Sequence, residues 1–154
     1  MPKLSILAVC EKVIFDQDGP ATIVSIFESM LYRVQDAPLP EKAVLPNQWA
    51  VFTQWEHTAQ ELGQEFAQII VVTAPDGSEL HRGEITFTKK DLTKNISRIR
   101  ALFRSIPIWK EGMVRVDVFL KGQESAPQGS TGISVRYIQK EANVDKIATP
   151  TASA

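Results

Sequence analysis

Few residues of this chain have the types and spacings that chemistry needs. The single cysteine, Cys10, ends the apolar run Leu7-Ala8-Val9-Cys10. A thiol with apolar neighbours and no cation beside it keeps a high pKa and stays inert. One cysteine also excludes an intrachain disulfide and a cysteine-based zinc cluster. The two histidines, His57 and His81, fall on neighbouring strand-like runs. With no carboxylate evident beside them, they read as surface strand positions and not as a metal pair. Glu56, Glu61 and Glu65 read as solvated charges at a strand end. Asp16-Gln17-Asp18-Gly19 begins like a calcium loop, but Pro20 occupies the fifth position and no glutamate stands at the twelfth. Aspartate and glycine are what a turn requires there. The eight glycines are scattered singly, so no phosphate-cradling loop is formed. We therefore expect no catalytic residue, no cofactor and no metal, and a protein that is not an enzyme.

Charge is distributed unevenly. Lys89, Lys90, Lys94, Arg98, Arg100, Arg104 and Lys110 fall within 22 residues that contain one acid, Asp91, so this window carries +6 while the remaining 132 residues sum to −7. A local basic patch is the footprint expected for phosphate contacts. It equally suits an acidic protein surface, or the protection of an edge strand by charge. If the segment is a strand, Arg98, Arg100 and Arg104 share one face. Lys89, Lys90, Lys94, Arg98, Arg100 and Arg104 form the candidate binding patch. Few aromatics accompany it, which weakens the case for stacking on single-stranded nucleic acid.

The elements that would position these residues are strands. Leu4, Ile6 and Ala8 begin an alternation that continues to about Phe15, and residues 16–20 form a turn. Thr22 to Arg33 is rich in β-branched and aromatic residues and completes a hairpin. Pro38, Pro40 and Pro46 mark a loop between sheets. Strands are then expected over Trp49–His57, with Trp49, Val51, Thr53 and Trp55 on one face, and over Phe66–Thr73 and Leu80–Phe87. The last two are joined by the turn Pro75-Asp76-Gly77-Ser78, with Gly83 as a bulge. Lys89 to Ile106 fits either a helix or a strand, and a strand over Ser97–Ser105 suits the series better. Val114, Val116, Val118 and Leu120 alternate cleanly. Gly122 to Gly132 is a polar loop, and Ile133–Ile138 closes the series.

Such a list defines an all-β domain, an immunoglobulin-like, Greek-key β-sandwich of about 7–8 strands. It spans residues 1–141, with 142–154 as a flexible C-terminal tail of small polar residues. Both sheets are expected to be antiparallel, with Ile26, Trp49, Val51, Ile70, Val72, Val116 and Val118 in the core. No run approaches the ~18 apolar residues of a membrane span. Leu4 to Cys10 is short for a signal core, so a cytoplasmic location with no membrane partner is expected.

The segment Leu7-Ala8-Val9-Cys10-Glu11-Lys12-Val13-Ile14, the Asp/Gly turn and Ile23-Val24-Ser25-Ile26-Phe27 resemble a family of uncharacterised bacterial β-sandwich proteins. The Pro-Asp-Gly turn and the late alternating valines add to the likeness. The resemblance implies a β-sandwich and supplies no activity, cofactor or catalytic residue. We expect a non-enzymatic binding or assembly module acting through protein contacts, with self or another chain as partner. The runner-up is an anion or nucleic-acid binder using residues 89–110. An unrecognised enzyme ranks third.

Overall fold

The computed structural model describes residues 1–16, 20–34, 39, 48–89, 94–105, 107 and 110–139. The expected boundary at 141 and the tail 142–154 lie outside them, as do Lys90 and the turn residues 17–19. Nine strands are present among the described residues: β1 Lys3–Phe15, β2 Ala21–Ile26, β3 Ser29–Val34, β4 Gln48–Glu56, β5 Glu65–Thr73, β6 Glu79–Thr88, β7 Ile96–Arg104, β8 Gly112–Leu120 and β9 Gly129–Gln139. A 3-10 turn, Ala59–Glu61, follows β4. One sheet has the order β2-β1-β4-β7 and the other β3-β9-β8-β5-β6.

Alternation dictates how the two sheets meet. In β4, Trp49, Val51, Thr53 and Trp55 turn inward, and in β7 so do Ser97, Ile99, Ala101 and Phe103, each row following the side-chain period of two. Across from them lie Ile70 and Val72 of β5, Val114, Val116, Val118 and Leu120 of β8, and Ile133 and Val135 of β9. Trp49 stacks on Phe103 with ring centres 4.7 Å apart, and Trp55 on Phe87 at 5.5 Å. Taking β1, β4 and β7 as strands A, B and E, and β5, β6, β8 and β9 as C, C′, F and G, gives the immunoglobulin-like arrangement. Strand D, which would lie beyond β7, has no counterpart among the described residues. No disulfide joins the sheets, because Cys10 is the only cysteine, and the large aromatics of the core come from β4 and its stacking partners.

Five expectations are corrected here. Thr22 to Arg33 is not one strand, and the strand count exceeds eight for that reason. Ser25 takes a left-handed φ of 53°, and the chain changes sheets within two residues. The Phe27 amide still donates to the Val9 carbonyl of the first sheet, while the Glu28 carbonyl accepts from the Ser134 amide of the second. Ile26 consequently faces solvent, 64% exposed, and Phe27 packs inward in its place. The sheets are not wholly antiparallel, because β3 arrives by this crossover and runs parallel to β9. Gly83 is not a bulge: the β5–β6 register is regular there and slips between Val72 and Thr73 instead. A Cβ at Gly83 would stand 3.2 Å from His81 Nε2, so the glycine makes room for that ring. The polar loop also ends sooner, since β9 begins at Gly129.

Ala50 and Phe52 point to the opposite side of β4 and, with Cys10 and Val13, form a second small cluster beneath the β1–β2 hairpin. Cys10 is fully buried, and burial pushes its thiol above its ordinary value, although the Lys12 backbone opposes this. We expect a thiol reagent to label Cys10 only upon unfolding, and Cys10→Ala to cost ~1 kcal/mol, measurable by urea titration. Rapid labelling of the native protein would refute the assignment.

Candidate binding groove and the buried His57 cluster

Residues 96–104 form a strand and not a helix, so the expected basic row exists. On β7 the outward face carries Arg98, Arg100, Leu102 and Arg104, beside Gln54, Phe52, Ala50 and Gln48 of β4. Two of these arginines lie against the sheet. Arg98 Nε donates to Gln54 Oε1 at 3.0 Å. Arg100 Nη1 donates to the Val13 carbonyl at 2.9 Å, and its guanidinium lies 5.7 Å from the centre of the Phe15 ring. Their stems cover apolar surface while the heads stay near water. Arg104 and Lys94 are exposed.

Lys89 does not belong to this patch. It is 2% exposed, and its ammonium donates to the Thr58 carbonyl at 3.0 Å and to Asn95 Oδ1 at 3.1 Å. A buried ammonium needs such acceptors. Sequence alone does not show that the 3-10 turn and the stretch before β7 supply them.

The same corner overturns the expectations for His57 and Glu61, which are both buried. The Glu61 carboxylate accepts the Thr58 amide at 3.1 Å, closing a capping box. It also pairs with the amino group of Met1 and lies 3.3 Å from His57 Nδ1. Burial raises the Glu61 pKa, but the Met1 amino group and the Thr58 amide outweigh burial, and the carboxyl titrates below its ordinary value. Burial lowers the pKa of His57, and Lys89 and the amino terminus add to this against the opposing pull of Glu61. The imidazole is therefore neutral near pH 7. Its Nε2 lies 2.8 Å from Ser97 Oγ, and its ring packs against Phe66 and Phe87. His81 lies elsewhere on β6, edge-on to Phe103.

Serine, imidazole and carboxylate thus stand in the order of an acyl-transfer relay. Two features favour a structural clasp over a relay. His57 Nδ1 makes no aligned hydrogen bond, and Glu61 is already engaged by Thr58 and Met1. The clasp ties the end of β4 to the start of β7, together with the His57 amide, which donates to the Asn95 carbonyl at 2.7 Å. We expect a fluorophosphonate probe to leave Ser97 unmodified, with intact-mass spectrometry as the readout. Stoichiometric labelling that is lost in Ser97→Ala would show a working nucleophile instead.

Ser97 also marks one end of a surface groove. The groove, of about 590 Å³, is lined by Thr86, Phe87 and Thr88 of β6 and by Ser97 to Arg100 of β7. A second hollow of about 230 Å³ continues it past Arg100 toward His81, Gly83 and Phe103. Among the described residues β6 and β7 each end their sheet, so two strand edges flank this seam. Among the described residues no group of three metal-ligating side chains occurs, and no helix is long and apolar enough to cross a membrane.

No family model matches the chain, and no curated protein matches it. Among solved structures it is similar to an immunoglobulin-like protein from Pseudomonas aeruginosa, at 12% identity, covering 88% of this chain and 97% of that one, with a TM-score of 0.39. The immunoglobulin-like assignment made above rests on the strand order of this chain itself.

Proposed function

We propose that this protein is a non-enzymatic binding module that engages a protein partner along the open β6–β7 side of its sandwich. One observation carries the reading. Among the described residues the two sheets both end on this side, the seam between their edges is grooved, and the basic row borders it. Unpaired strand edges present a ready row of backbone donors and acceptors. The test is a photo-crosslinking amino acid placed at Leu102 on β7 or at Leu31 on β3, both exposed, in the full chain within the cell that makes it. Leu102 is expected to give a discrete protein adduct and Leu31 none. Adducts from Leu31 alone, or from neither position, would contradict the reading.

The row suits nucleic acid less well. Arg98 is drawn onto the sheet by Gln54, which leaves Arg100 and Arg104 as the outward cations of the row, fewer than a nucleic-acid backbone engages. We expect no appreciable DNA or RNA binding at physiological salt in a fluorescence titration. The variant carrying Arg98→Gln, Arg100→Gln and Arg104→Gln is expected to stay folded, losing within about 1–2 kcal/mol for its polar contacts. Micromolar binding by the native chain that disappears in this variant would favour an anion or nucleic-acid binder instead.

A further inference from the structure

We infer that the partner of this module is an extended segment of another protein, alternating apolar and acidic residues, which adds to β7 as a further strand. The inference rests on the binding reading above and specifies its occupant. In the immunoglobulin constant type, the sheet built on strands A, B and E carries a fourth strand beyond E. Here β7 holds the E position and is last in its sheet among the described residues, because β6, the strand between β5 and β7 in sequence, lies in the other sheet; an added strand would take the place beside β7 that the constant type fills from its own chain. The edge from Ser97 to Phe103 offers roughly 20 Å at ~3.3 Å per residue, room for about seven residues. Strand addition draws affinity from main-chain hydrogen bonds and specificity from alternate side chains.

Each face of β7 specifies one half of the alternation. Inward, Ile99, Ala101 and Phe103 line up toward the core, and Phe87, Ile85 and Ile70 lie across the seam. An incoming strand meets a mixed surface there, apolar at Ile99, Phe87 and Phe103 and polar at Thr86, Thr88 and Ser97. Outward, Arg100 and Arg104 stand two positions either side of Leu102. Among the described residues neither arginine enters an ion pair, although carboxylates neutralise Lys110, Lys121, Arg82 and Arg115 elsewhere. Acidic residues at alternate positions complement that row.

The row also argues against a second copy as the occupant. Two β7 strands paired edge to edge would set arginines against arginines on one face, and like charges facing each other across strands are destabilising. Charge on an edge strand is a common guard against self-pairing, and here it leaves the edge open to an acidic segment.

The test uses a seven-residue peptide alternating valine and glutamate, capped at both ends and fluorescently labelled, titrated against the full chain. Two controls accompany it: a peptide of the same composition with its glutamates in one block, and the alternating peptide N-methylated at the amides that would face β7. The alternating peptide is expected to bind. The block peptide should bind at least about tenfold more weakly, and N-methylation should abolish binding. Arg100→Gln with Arg104→Gln should weaken binding about tenfold, while Lys94→Gln should have a small effect. Equal binding of the alternating and block peptides, insensitivity to N-methylation, or no binding at all would overturn strand addition. A discrete crosslink at Leu102 would still stand in any of those cases, so failure of this inference is separable from failure of the binding reading.

Discussion

Gln68→Leu is expected to destabilise the protein by about 3 kcal/mol although it nearly conserves volume. Gln68 is fully buried at the heart of β5, and its Oε1 accepts two hydrogen bonds from across the sandwich. Thr53 Oγ1 donates at 2.7 Å and Trp55 Nε1 at 2.8 Å. Two donors converging on one atom also fix which end of the amide is oxygen. Leucine leaves a hydroxyl and an indole N–H buried without an acceptor, and each such orphan costs about 1–3 kcal/mol. The cost should not be additive with a change at Thr53. Alone, Thr53→Val removes one donor while Trp55 still satisfies Oε1, and a loss of about 1 kcal/mol is expected. In the Gln68→Leu background the same change removes an orphan hydroxyl and should recover stability. Urea titration of the four proteins completes the cycle. Strict additivity would mean that the three side chains do not act as a unit.

Glu61→Ala is expected to cost about 3 kcal/mol, because removing one member of a buried charge cluster leaves the others uncompensated. Glu56, at the end of β4 and exposed, should cost little when changed to glutamine. The same cluster sets how stability depends on pH. His57 titrates below its ordinary 6.5 in the folded protein, so in the window below 6.5 the unfolded chain binds the additional proton. Stability is fully present above 6.5 and falls as pH drops through the folded value. Glu61 titrates below 4.5 when folded, so a second loss begins below 4.5. Glu61→Ala should reduce that second loss, to which Asp76 beside Lys110 and Glu79 beside Arg82 also contribute, whereas His57→Gln should flatten the first and leave the second. Urea midpoints from about pH 8 down to pH 3 resolve both windows. A wild-type profile that is level between about pH 7 and pH 5 would show that His57 is not held neutral.

Period-two alternation was sufficient to read β4, β5, β7 and β8 and the rows they bury, including Trp49, Val51, Ile70, Val72, Val116 and Val118. It also placed Arg98, Arg100 and Arg104 on one face. It failed at Ile26, because counting positions cannot register a left-handed residue such as Ser25. No proline or glycine announced the sheet change at Phe27 and Glu28. The interior of the charged corner was illegible for a different reason. Residue type alone makes Lys89, Glu61 and His57 look solvated, and only the fold brings Lys89 to Thr58, 31 residues away. The i, i+4 spacing of His57 and Glu61, with Thr58 set to cap Glu61, was the available signal, and it belongs to a turn rather than to the strand end inferred there. The groove was illegible too, since an unpaired edge exists only once the strand order is known.

Amide hydrogen exchange of the full chain, with and without the alternating valine–glutamate peptide, tests the central claim most directly. Added protection is expected at outward-facing amides of β7 within Ser97–Phe103, with β2 and β3, the edge strands on the far side, unchanged. Protection confined to those far strands, or unaltered exchange along β7 when the peptide is saturating, would contradict it.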